Sequence, residues 1–154
     1  MRVRLHDLVE AMELPSDEFV AYLHRASGRI YVLSGDALRA AENNDEDLVE
    51  AAELEDARAV LAAGDDCLPL PDRFEIDEFR MMERYAASLA DPSDRETVLA
   101  ALGGPGSFRR FKDAIHALGR ADDWYAFRES SYRAIASEWC AAFGIECDTE
   151  AADG

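Results

Sequence analysis

The feature that most limits what this chain can become is the stretch from Ser107 to Ile145, SFRRFKDAIHALGRADDWYAFRESSYRAIASEWCAAFGI. It holds both tryptophans, two of the five tyrosines and the chain's only lysine. Phe108, Phe111, Ile115 and Leu118 recur at helical spacing after a Gly103-Gly104-Pro105-Gly106 breaker, with Ser107 as the expected N-cap and Gly119 as the stop. A second, longer helix follows, capped by Asp122 or Asp123 and ended by Gly144. At 100° per residue, Trp124, Tyr125, Tyr132, Ile135, Trp139 and Phe143 share one broad face of it. Arg128 sits within that face. So much aromatic surface demands burial, and a guanidinium placed there demands a partner.

Upstream, LHDLVEAME over residues 5–13 is a short amphipathic helix, ended by Pro15. EFVAYLH and RIYVLS are rich in β-branched and aromatic residues and flank Arg25-Ala26-Ser27-Gly28, so they read as a hairpin with Gly28 in the left-handed position. A lone hairpin is marginal in water, and Cys67-Leu68-Pro69-Leu70 is the candidate third strand, confined to an edge by its proline. Residues 36–66 carry eleven acids and two bases, net −9, with a thin apolar stripe through Leu48, Val49, Ala52, Ala57, Val60 and Leu61 and an interruption at Asn43-Asn44-Asp45. Charge runs of this kind face water. A helix is expected over about residues 75–90, and Ser93-Asp94-Arg95-Glu96 has the form of a capping box. The fold class is therefore α+β: a small antiparallel hairpin sheet with helices in the N-terminal half, and a helical C-terminal half. Pro69 and Pro71 divide an N-terminal lobe, 1–70, from a helical lobe, 71–145, with a shared core and an acidic tail at 146–154.

This order of pieces resembles a bacterial family with no assigned function, number 0158 in the UPF series of uncharacterised protein families. The residues that carry the resemblance are the GxGSFRRFKDAIHALG helix, DDWYAFRE, IASEWC with its following GI, LPDRFEIDEFRMMERY, and the hairpin with ASGRIYVLS. The resemblance covers about residues 5–145 and implies no catalytic residue, cofactor or substrate. Arg120 departs from it, since an aliphatic residue is usual there.

Composition narrows the function classes. With 33 acids against 16 bases and a net charge of −17, the chain repels bulk nucleic acid and anionic membranes. No apolar run approaches spanning length and the first residues lack the apolar core of a signal peptide, so a cytoplasmic location is expected. Cys67, Cys140 and Cys147 form no C-x-x-C, which points to reduced thiols and away from zinc. His6, His24 and His116 have no metal-ligand spacing, and no phosphate loop, dinucleotide or nucleophile-elbow motif occurs, so neither a metal nor a cofactor is expected and no catalytic residue is assigned.

One island is basic. Arg109, Arg110 and Lys112 stand at the start of a helix after a glycine-rich turn, His116 lies on the same helix, and Arg128 follows on the next. These five are the candidate anion- or partner-binding residues, because arginines and free backbone N–H groups at a helix start suit a phosphate or carboxylate. The bland alternative is pairing with the protein's own acids, Arg109 with Asp113 among them. Arg128 should meet a carboxylate, with Asp77, Glu83, Asp113 and Glu138 as candidates. The leading reading is a non-enzymatic binding or regulatory protein with a protein partner. The alternative is an enzyme acting on a phosphate-bearing or other anionic substrate around Arg109, Arg110, His116 and Arg128.

Overall fold

The computed structural model describes residues 2–13, 19–45, 47 and 49–148. The expected break at Pro15, Leu48 of the apolar stripe and the chain beyond Asp148 lie outside them. The chain divides into two compact units: residues 1–72 together with 133–154, and residues 73–132. The first boundary falls beside Pro71. The return of residues 133–154 to the first unit was not legible in the proline punctuation. It comes from the parallel pairing of residues 146–148 with residues 2–4.

In the first unit, strand β1 (Arg2–Arg4) leads into helix α1 (Leu5–Glu13), whose Leu5, Leu8, Val9 and Met12 are buried as their spacing requires. Strands β2 (Phe19–His24) and β3 (Ile30–Ser34) form the antiparallel hairpin, in register from Phe19 opposite Ser34 to Leu23 opposite Ile30. Gly28 has φ 77° in the turn between them. Strand β4 (Cys67–Pro69) pairs antiparallel with β2, giving the order β3-β2-β4 with the proline at an edge.

Helices α2 (Gly35–Asn43) and α3 (Ala51–Ala63) pack Ala37, Ala57 and Val60 against Leu33 and Cys67. Ser34 caps α2 by accepting from the Ala37 N–H, and its own hydroxyl donates to Glu53 at 2.6 Å. Asn44 ends α2 in the left-handed region at φ 55°, the interruption expected at Asn43-Asn44-Asp45. The acids of α2 and α3 are mostly exposed.

Strand β5 (Glu146–Asp148) lies parallel to β1, Arg2 against Glu146, so these residues belong to a sheet and not to a tail. Cys140 and Cys147 form a disulfide and Cys67 alone is free. This corrects the expectation of three reduced thiols: Gly144, at φ 67°, turns the chain so that β5 runs back past the preceding helix.

The second unit is helical. It comprises α4 (Arg73–Ile76), α5 (Glu78–Ser88), α6 (Pro92–Ala101), α7 (Ser107–Ala117) and the first part of α8 (Ala121–Phe143), whose remainder belongs to the first unit. The cap of α6 is Asp91, accepting from the Ser93 N–H with Pro92 at the first helical position, and not Ser93. Tyr85, Phe111 and Trp124 form the centre, with Phe111 and Trp124 ring centroids 4.8 Å apart and Tyr85 and Trp124 5.4 Å apart, all edge-on. Edge-to-face pairs of this kind add about 0.5–1.5 kcal/mol each beyond area burial. The broad aromatic face predicted for α8 is narrower in the structure: Trp124, Tyr132 and Trp139 are buried, whereas Tyr125 is 51% exposed and Phe143 is 38% exposed.

Candidate functional site

Helix α7 buries Phe111 and Ile115 and turns Arg109, Lys112, Asp113 and His116 outward, at the i, i+3, i+4 and i+7 positions of one solvent face. All four are exposed, and among the described residues none of them makes a side-chain hydrogen bond or ion pair. The expected Arg109–Asp113 pair is therefore not formed. At the start of this helix Phe108 is 49% exposed and in ring contact with Phe79.

Arg110 points elsewhere. Its guanidinium donates to the carbonyls of Ala101 at 3.2 Å and Gly104 at 3.1 Å, and also to those of Gly103 and Pro105. These carbonyls come from the last turn of α6 and the glycine turn after it, where no helical N–H is left to satisfy them. Gly104 and Gly106 both adopt φ 75°, and a Cβ on Gly106 would meet the guanidinium at 3.3 Å. The turn thus presents carbonyl oxygens to a cation, the opposite polarity to a phosphate cradle. Gly106 occupies the N-cap of α7, which makes Ser107 its first residue and not its cap.

Arg128 is also engaged. Its Nε donates to Glu78 at 2.6 Å, a second nitrogen donates to the Tyr132 hydroxyl at 3.3 Å, and the guanidinium lies 4.5 Å from the Tyr132 ring centroid. The carboxylate is none of the four the sequence suggests. Asp77 takes the left-handed conformation at φ 50° and caps α5 by accepting from the Arg80 N–H, which leaves its neighbour Glu78 as the partner of α8.

A second polar cluster stands apart from these five residues. Arg120 donates twice to Asp94, at 2.9 and 3.0 Å, and lies 3.7 Å from Asp123, which accepts from the Tyr85 hydroxyl at 2.6 Å. Burial, and then the adjacent Asp123 carboxylate, push the Tyr85 phenol up to about 12. The cluster ties α5, α6 and α8 together with a phenol that stays protonated at neutral pH. An arginine directly after the Gly119 stop, with Asp122 and Asp123 two and three residues on, is the one sequence signal that could have suggested it.

The structure thus brings Arg109, Lys112 and His116 onto one face and separates Arg110 and Arg128 from it. Two concavities, of about 630 Å³ beside α1 and about 550 Å³ along α6, are lined by none of the five. Among the described residues no cluster of His, Cys, Asp or Glu is placed to hold a metal, and no helix is long and apolar enough to cross a membrane.

No curated protein and no solved structure matches the chain. A family model does, over residues 1–150, and the fold elements that frame the five basic residues all lie within that span. The chain belongs to the uncharacterised protein family UPF0158.

Proposed function

We propose that this is a non-enzymatic protein that works by binding another protein. The observation that carries the reading is the occupancy of the guanidiniums. Arg110 is held by backbone carbonyls, Arg128 by Glu78 and Tyr132, and Arg120 by Asp94. An anion arriving at these arginines would have to displace partners already in place, at a desolvation cost an exposed phosphate contact does not carry. The cations left outward on α7 are solvent-exposed, which suits a partner surface better than an enclosed substrate.

The competing reading is an enzyme for a phosphate-bearing or anionic substrate at Arg109, Arg110, His116 and Arg128. Thermal melts with phosphate, a nucleotide and a dicarboxylate separate the two. A ligand at 100 times its dissociation constant adds about 2.7 kcal/mol and shifts the melting point visibly. The expected result is no shift with any of the three. A shift that disappears in Arg109→Ala and in Arg128→Met overturns the proposal.

A further inference from the structure

Strand β3 is an edge strand among the described residues. The hairpin register fixes which of its backbone groups face outward. The His24 N–H donates to the Arg29 carbonyl, so Leu23 and Ile30 form a non-hydrogen-bonded pair and Tyr22 and Tyr31 a hydrogen-bonded one. Tyr31 and Leu33 therefore direct their N–H and C=O groups to β2. Ile30, Val32 and Ser34 direct theirs away from it. Ser34 bears this out, since its N–H turns to the Glu53 carboxylate of α3 at 3.3 Å. At Ile30 and Val32 the outward groups have no partner among the described residues.

The concavity of about 630 Å³ runs along this strand. It is lined on one side by Gly28 of the turn and by Ile30 and Val32, alternate positions of β3 whose side chains share a sheet face, and on the other by Asp7, Glu10 and Glu13 of α1. Two different requirements for strand addition thus coincide: a run of unpaired backbone donors and acceptors, and a chamber for the alternate side chains of the added strand. The carboxylates set the chemistry of those side chains. Glu10 also meets His6 at 3.2 Å, and no Lys or Arg lines the groove.

We propose that β3 accepts an extended basic segment of a partner protein as an additional strand, with lysine or arginine at alternate positions reaching the α1 carboxylates. This deepens the binding-protein reading by naming the surface and the partner chemistry. Backbone pairing supplies attachment, and the acid-lined groove supplies selection. A second copy of this chain is a poor occupant, because edge-to-edge pairing would bring two molecules of net charge −17 together along their acidic grooves.

The test is a fluorescence-polarisation titration of the full chain with a short labelled peptide alternating Lys and Val, beside a Glu/Val peptide of the same length. The Lys peptide should bind, more weakly as salt rises, and the Glu peptide should not. Asp7→Asn with Glu10→Gln should weaken the Lys peptide about tenfold. Val32→Pro removes an outward N–H that the ladder to β2 does not use, so it should abolish binding with the circular dichroism spectrum unchanged. If that variant fails to fold, a Lys/Val peptide N-methylated at alternate amides asks the same question of the wild-type chain, and should not bind in one of its two methylation registers. Equal binding of the Glu peptide, unchanged binding by folded Val32→Pro or by both N-methylated registers, no binding of the Lys peptide, or a dimer formed through β3 overturns the proposal. Failure here with silent anion melts removes the strand-addition surface alone, whereas an anion shift removes the reading beneath it.

Discussion

The two units handle charge in opposite ways. Residues 73–132 contain 9 bases and 11 acids, net −2, while the remainder of the chain contains 7 bases and 22 acids, net −15. In the second unit the arginines hold structure: Arg110 closes the glycine turn, Arg120 binds Asp94, and Arg128 binds Glu78. The first unit leaves most of its described acids in water, with local exceptions such as Arg29 on Asp56 at 3.1 Å. The cores differ in the same sense. The second is built around large rings, and a buried cluster of the first is built from Leu33, Ala37, Ala57, Val60 and Cys67. Near-neutrality permits paired ions to be drawn into an aromatic core, whereas a net charge of −15 favours small packed residues beneath a hydrated shell.

The strongest way to break this contrast is at the rings. Phe111 is fully buried against Tyr85 and Trp124, so Phe111→Ala should cost about 4 kcal/mol in equilibrium denaturation. A loss below about 1 kcal/mol would mean that the aromatic cluster does not carry the second unit. The next test concerns Arg128. Arg128→Met leaves the half-buried Glu78 without its partner and should cost about 2 kcal/mol. Adding Glu78→Leu should recover part of that loss, and a double-mutant cycle should give a coupling of about 1 kcal/mol. Strict additivity would mean the pair is decorative.

Tyr85→Phe retains the ring and removes a hydrogen bond to a carboxylate, at an expected cost of about 1.5 kcal/mol. It also carries a pH signature. The folded phenol is pushed up to about 12, above the ordinary value of 10.0, so below pH 10 both folded and unfolded states hold the proton. Between 10 and 12 only the folded state does, and the stability this group contributes falls as pH rises through that window. Urea titrations from pH 9 upward should show a shallower alkaline decline in Tyr85→Phe than in wild type. Parallel curves would place the effect elsewhere.

The smallest expected effect is that of salt. Trp139 belongs to the first unit and Trp124 to the second, so Trp124→Phe and Trp139→Phe each leave one fluorescent reporter. Raising ionic strength to about 0.15 M shortens the screening length to about 8 Å and relieves repulsion among the exposed acids. The melting point read from Trp139 should rise by about 2–4 °C, and that read from Trp124 should move less. Equal shifts would erase the electrostatic distinction between the units.

What could be read from the sequence follows from how local its cause is. The amphipathic spacing of α1, the Gly28 turn and the stop at Gly119 depend on residues within a few positions, and each stands where its pattern puts it. Strands β1 and β5 are three residues each with no period to detect, and their partners lie at opposite ends of the chain. The Cys140–Cys147 bond needed the Gly144 turn to be known first, because cysteine count alone does not report direction. Among the basic residues, the shared side of Arg109 and His116 followed from the helical period. The partners of Arg110 and Arg128 did not. One depended on which carbonyls the end of α6 leaves bare, and the other on a left-handed Asp77 that shifts the facing carboxylate by one residue.

The pairing of β1 with β5 bears on the order in which the molecule can be made. The segment 73–132 is contiguous, so its contacts are available as soon as it leaves the ribosome. The first unit draws on both sides of that segment, and Arg2 must wait for Glu146 before its strand has a neighbour. Closing so long a loop is slow relative to forming local helices. During synthesis the β1–β5 pairing is therefore among the last contacts to close, and a net charge of −15 on that unit opposes association between waiting chains.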